Sequence, residues 1–181
     1  VVFFDKKILV PFGEFLPFRN FLNFFTPISG SIDYSLGNKD RVIKLENDIS
    51  YIPIICYEII FYWKIINKNN FNSNFIVNIT NDLWFGDYLG PYQHYYFTKI
   101  RAAEFNKPII RVSNNGISSI INEHGRTLST IDLNTNGSIK YNLEIKSFKN
   151  FNNLHYFLKI YFLSLILITI VVNYRTYYAN K

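Results

Sequence analysis

From Tyr156 to Tyr174 the chain reads YFLKIYFLSLILITIVVNY, nineteen residues whose only charge is Lys159, near the start. A helix of about 20 apolar residues spans the hydrocarbon core of a bilayer, so this run is long enough to cross as one helix. Tyr156, Tyr161 and Tyr174 suit the two interfaces, and Lys159 can snorkel to the headgroups. A buried, β-branched core helix or strand pair is the other structure open to such a run. Flanking charge does not orient the span, because Arg175 and Lys181 follow it while Lys146 and Lys149 precede it. The predicted division is a domain over 1–145, an Asn- and Lys-rich linker KSFKNFNNLH over 146–155, a transmembrane helix over 156–174 and a tail over 175–181.

Residues 1–145 read as mixed α and β with short connections. FFDKKILV before Pro11, YIPIIC over 51–56 and FIVNI over 75–79 are short apolar runs of the kind that form buried strands. An apolar helical stretch, IIFYWKII, is predicted after Glu58. Pro91 is placed to open a helix that runs through YQHYYFTKIRAAEF and ends before Pro108. Tyr92, Tyr96, Ile100 and Ala103 recur within it at helical spacing and predict its inward face. Strands PIIRV, GISSII and RTLSTIDL follow, separated by turns at Asn114–Gly116 and Glu123–Gly125.

Composition excludes more than it assigns. With 181 residues and 49% hydrophobic content the chain is long and apolar enough for one core. One cysteine rules out an internal disulfide framework and a cysteine-rich zinc site. The net charge of +6 comes from dispersed lysines and arginines in a chain rich in Ile, Asn, Lys, Phe and Tyr, without the clustered basic face that a nucleic-acid partner requires. A chain without methionine is expected to be a processed product or a piece of a longer one.

Cys56 stands where a strand gives way to a turn, a position that offers backbone N–H groups to a thiolate or an oxyanion. A nucleophile and a small buried apolar residue are both open readings of it. In DKKILVPFGEF the turn at Pro11 and Gly13 folds Glu14 back towards Lys6, which makes either a held catalytic ammonium or an ordinary surface ion pair. Glu58 suits either a site beside Cys56 or the start of a helix. Asn78, Asn81 and Asp82 follow a buried strand as polar groups of a loop, and Trp84 and Phe85 add an apolar surface that either meets acyl chains or anchors the loop. His94 has no second histidine at ligand spacing and is read as structural.

KKILVPFGEFLPF, PIICYEIIF, NITNDLWFG, GPYQHYYFTKIRAAE, KPIIRVSNNGISSIINEHGR and the closing apolar span, in this order, resemble the bacterial apolipoprotein N-acyltransferases of the nitrilase superfamily, also called carbon-nitrogen hydrolases. The resemblance implies an α+β fold: the C-terminal part of a nitrilase-like αββα sandwich followed by one transmembrane helix. It implies Cys56 as nucleophile, Lys6 as oxyanion stabiliser together with the backbone N–H of Tyr57, and Glu14 as the carboxylate that orients Lys6. Tyr57 and Glu58 are then needed around the nucleophile, while Asn78, Asn81, Trp84 and Phe85 fall near substrate or lipid.

The implied reaction moves an acyl chain from a membrane phospholipid, through a thioester on cysteine, to the N-terminal amine of an apolipoprotein's diacylglyceryl-cysteine. It uses no metal or other cofactor, in a bacterial inner membrane, with the catalytic domain periplasmic and the C-terminal tail cytoplasmic. The family's general base, a glutamate, precedes its lysine, and this chain begins five residues before Lys6, so the 181 residues alone are expected to be inactive. An amide-hydrolysing relative, a non-catalytic remnant and a subunit completed by a separate N-terminal polypeptide are the competing readings.

Overall fold

Strands β2 (Ser50–Ile55), β3 (Phe75–Asn81) and β4 (Ile109–Asn114) form the parallel centre of a sheet in a computed structural model that describes residues 4–22, 33–37, 41–144 and 152–179. Among the described residues the sheet has six strands in chain order, with β1 (Ile43–Lys44), β5 (Ser118–Ile121) and β6 (Thr127–Ile131) added antiparallel. A single helical turn, α1 (Arg19–Leu22), precedes it. Parallel neighbours need a crossover, and helix α2 (Leu89–Phe105) supplies the one between β3 and β4. Asn106, in the left-handed conformation at φ 50°, ends α2 before Pro108.

The strand expectations hold at β2 to β6. Residues 4–10, the described part of FFDKKILV, do not form a strand: the backbone donors of Lys7 and Ile8 go to the carboxylate of Glu58, and the carbonyl of Lys6 accepts from Gly37, 2.7 Å away. IIFYWKII is not a continuous helix either. Two 3-10 turns, Cys56–Ile59 and Tyr62–Lys64, take its place, as suits a run of β-branched and aromatic residues with low helix propensity.

Helix α2 turns a different face inward from the one its aromatic spacing predicts. His94, Thr98, Arg101, Ala102 and Phe105 are buried, whereas Tyr92, Tyr96, Ile100 and Ala103 are exposed. The inward polar residues have fixed partners beneath them, His94 on Asp82 and Thr98 on Arg111, and those bonds outweigh the apolar stripe.

Alternation along the strands gives the sheet two faces. Ile52, Ile54, Ile76 and Ile109 point towards Ile59, Ile65, Phe71 and Phe105 and form an isoleucine-rich core. Each such side chain contributes roughly 2 kcal/mol on burial. The opposite face carries Pro53, Ile55, Val77, Ile79, Ile110 and Val112, all apolar and only partly covered.

Residues 149–181 form a separate compact unit. Its helix α3 (Asn152–Ala179) is longer at both ends than the apolar run over 156–174 and takes in the end of the predicted linker and the start of the tail. Within it Leu158–Arg175 is long and apolar enough to cross a membrane. Residues 145–151, with the rest of the predicted linker, lie outside the described residues.

Candidate active site

Cys56 follows β2 directly and opens the first 3-10 turn with φ +52°, in the left-handed region that non-glycine residues rarely adopt. Backbone strain of this kind persists only where the surroundings over-determine it, and it clusters at functional sites. The thiol is free and partly exposed.

The turn at 10–14 brings Glu14 back as the sequence predicts. Glu14 N donates to the carbonyl of Val10 at 2.8 Å, and the Glu14 carboxylate accepts from Val10 N at 2.9 Å and from Lys6 Nζ at 2.5 Å. Lys6 and Glu14 are both largely covered, so this pair is better shielded from solvent than a surface pair.

Glu58 is fully buried and accepts from Lys7 N at 2.6 Å, Ile8 N at 3.2 Å and Ile55 N at 2.9 Å. Arg41, also buried, grips both carboxylate oxygens and donates to the carbonyls of Asp5 and Pro53. The Arg41–Glu58 pair thus ties the residues around Lys6 to the strand end that carries Cys56. It does so through backbone groups that a neighbouring strand would otherwise satisfy.

These elements surround a cavity of about 380 Å³. It is lined by Val10, Pro11, Gly13 and Glu14 of the turn, by Cys56 and Tyr57 after β2, and by Asn81, Trp84 and Phe85 at the end of β3 and in the turn after it. Asn81 caps the 3-10 turn Asp82–Phe85 by accepting from Leu83 N at 3.2 Å, which sets the loop that carries Trp84. The ring of Trp84 approaches the turn at Gly13. Glu14 is the carboxylate among the lining residues, and it is already bonded to Lys6 and Val10 N. Among the described residues no group of three or more His, Cys, Asp or Glu side chains is placed to hold a metal ion.

A carbon-nitrogen hydrolase family model matches residues 21–151, most of the chain. The chain belongs to the carbon-nitrogen hydrolase family. This carbon-nitrogen hydrolase chain is 40% identical over 168 residues to a Rickettsia typhi protein named apolipoprotein N-acyltransferase, a match covering 90% of the chain and 34% of the relative. A Rhizobium rhizogenes protein of the same name is 40% identical over 139 residues, covering 75% of the chain and 26% of the relative. The chain therefore spans about a third or less of the length of these curated relatives. A CN-hydrolase superfamily protein of Xanthomonas campestris, solved with an arsenic adduct in its active site, has a TM-score of 0.50 at 15% identity, over 74% of this chain and 49% of that one. That likeness is one of fold.

A third ionic centre of this carbon-nitrogen hydrolase chain joins the turn after β3 to β4 and α2. Asp82 accepts from His94 Nδ1 at 2.8 Å, Thr80 Oγ1 at 3.1 Å, Arg111 Nη2 at 2.6 Å and Ser113 Oγ at 2.9 Å. Burial alone would raise its carboxyl, but the hydrogen bond from His94 and the charge of Arg111 outweigh that and hold it at about 2. Gly116 passes so close that a Cβ there would stand 2.0 Å from the Asp82 carboxylate.

Of the residues singled out from the sequence, the structure brings Glu14, Cys56, Tyr57, Asn81, Trp84 and Phe85 to one cavity and sets Lys6 on Glu14. Asn78 does not reach it: it is buried in β3, donating to the carbonyl of Ile54 and accepting from Arg111. Glu58 belongs to the turn that Cys56 opens but is buried and does not line the cavity. Arg41 and Arg111 escaped sequence reasoning, since their partners lie 17 and 29 residues away in the chain.

Proposed function

We propose that this chain carries the nucleophile side of an apolipoprotein N-acyltransferase site. The observation that carries the reading is the shared cavity, which a strained cysteine, a glutamate ion-paired to Lys6 and the aromatic residues Trp84 and Phe85 line together. The name shared by the Rickettsia and Rhizobium relatives supports it.

In this reading Cys56 Sγ attacks the ester carbonyl of a phospholipid. Lys6 Nζ and Tyr57 N–H stabilise the tetrahedral oxyanion, and Glu14 holds the ammonium in place. The C–O bond breaks, the lysophospholipid leaves with a proton, and a thioester remains. The free α-amine of a diacylglyceryl-cysteine then attacks the thioester carbonyl. The C–S bond breaks, Cys56 is restored and an amide is formed. The general base is a carboxylate that the family resemblance places ahead of Lys6 in sequence. Trp84 and Phe85 receive the acyl chain and limit water, so that an amine is acylated in preference to hydrolysis. No cofactor enters the sequence of steps.

The finer architecture belongs to the same reading. The apolar sheet face of Pro53, Ile55, Val77, Ile79, Ile110 and Val112 suits burial under a second sheet, as in an αββα sandwich, because parallel sheets are covered on both faces. Helix α3 crosses the bacterial inner membrane, with the domain periplasmic and the tail cytoplasmic. Its hydroxyls suit that setting, since Ser164 donates to the carbonyl of Tyr161 and Thr169 to that of Leu165. Both substrates are lipids, so the bilayer concentrates them at the site.

The test gives the product of the complete reading frame a phospholipid labelled in its acyl chain, together with a diacylglyceryl-cysteine peptide. Labelled N-acyl peptide, lost in Cys56→Ser, is expected. Hydrolysis of soluble amides with no transfer from phospholipid would instead make the chain an amidase and overturn the reading.

A further inference from the structure

Arg111 occupies the point where both sides of the cavity are anchored. It is fully buried, and every nitrogen of its guanidinium is engaged. Nε donates to the carbonyl of Ile117 at 3.1 Å, Nη1 to Asn78 Oδ1 at 2.7 Å and Thr98 Oγ1 at 3.0 Å, and Nη2 to Asp82 Oδ2 at 2.6 Å. Two of these bonds lead to the cavity. Asn78 passes the first on, since its Nδ2 donates to the carbonyl of Ile54 at 3.2 Å, two residues before Cys56. The second reaches Asp82, which opens the turn carrying Trp84 and Phe85, and His94 on the same carboxylate lies 5.1 Å from the ring of Phe85 between centroids. The strand register puts Ile54, Asn78 and Arg111 side by side across β2, β3 and β4.

We propose that Arg111 is a positioning residue for Cys56: its guanidinium sets the strand end bearing the thiol against the loop bearing Trp84, and presents a fixed positive charge to the ionised sulfur. A planar fork with five donors is what this task requires, because a lysine has one charged atom and cannot hold Ile117, Asn78, Thr98 and Asp82 together. The electrostatics agree. Burial pushes Arg111 down from its ordinary value, while Asp82 and the charge of Cys56 act to keep it protonated. Asp82 faces the cation directly, with the His94 ring beside it on the same carboxylate. The proposal rests on Cys56 as nucleophile and adds a residue to which neither the sequence motifs nor the family resemblance gives a role.

The test follows alkylation by iodoacetamide at neutral pH in the product of the complete reading frame, read on the Cys56 peptide by mass analysis, beside the thermal unfolding of the protein. In Arg111→Gln the rate at Cys56 is expected to fall about tenfold, and in Arg111→Lys about threefold, with cooperative unfolding retained. A merely structural role gives the opposite sign, because loosened packing exposes the thiol and speeds its reaction. A rate equal to or above wild type in Arg111→Gln overturns the assignment. Should that variant not unfold cooperatively, Asn78→Ala decides, since it keeps the Arg111–Asp82 pair and cuts the link to Ile54. There a fall of about threefold supports the proposal and an unchanged or faster rate refutes it. Alkylation needs no acyl donor, so a failure of phospholipid transfer would refute the acyltransferase reading while leaving these rates to judge Arg111.

Discussion

Two buried arginine–carboxylate pairs serve the cavity, and they do so by different means. Arg41–Glu58 holds residues 5–8, which have no regular secondary structure, by backbone amides and carbonyls. Arg111–Asp82 holds side chains that project from β3, β4 and α2, elements already secured by their own ladders and core. The first pair replaces secondary structure, and the second is added to it. Loss of either leaves a buried charge without its partner, which costs about 3–5 kcal/mol. Only the first loss also frees the segment bearing Lys6.

The largest effect is therefore expected at Glu58. Glu58→Gln should lower stability by about 4 kcal/mol in denaturant unfolding and make the chain around Lys6 and Lys7 an early site of tryptic cleavage. If the cleavage pattern were unchanged, the contrast between the pairs would fail.

Asp82→Asn should cost somewhat less, about 3 kcal/mol, with residues 5–8 as protected as in the wild type. The same pair gives a pH signature. Asp82 in the fold titrates at about 2, below the ordinary 3.8, so it binds fewer protons folded than unfolded in that window. Its stabilisation is fully present above about pH 4 and is lost as pH falls through about 2. Acid unfolding of Asp82→Asn should lack this component, and an acid profile identical to wild type would remove Asp82 from the account.

The smallest stability effect belongs to Glu14, whose pair with Lys6 is largely covered but, unlike the two arginine pairs, not fully buried. Glu14→Gln should change stability by less than about 1 kcal/mol. Acyl-enzyme formation should nevertheless fall by about 100-fold or more, because the oxyanion cation loses its orienting carboxylate. A loss of activity no larger than the loss of folded protein would make the pair structural.

These contrasts also explain what could be read in advance. The Lys6–Glu14 contact was legible because a proline–glycine turn joins the two residues within one short stretch, so local turn chemistry suffices. Strands β2 to β6 were legible because apolar runs bounded by turns have few alternatives. The segment at 4–10 looked like a strand because apolar content does not say where backbone donors will go, and here a carboxylate 50 residues away takes two of them. The inward face of α2 was misread for a related reason. Its polar residues are satisfied by Asp82, on the turn after β3, and by Arg111, on β4, and no spacing within the helix reveals that. Asn78 looked like a loop residue beside a substrate and is instead a link between strands.

The central claim is that Cys56 carries an acyl group taken from a phospholipid. Mass analysis of the Cys56 peptide, after the product of the complete reading frame meets phospholipid without an acceptor amine, tests it most directly. The account predicts a peptide heavier by one fatty acyl group, returned to its original mass by hydroxylamine, as a thioester requires. An unmodified Cys56 peptide from folded, membrane-inserted protein, or an acyl group that resists hydroxylamine, would contradict it.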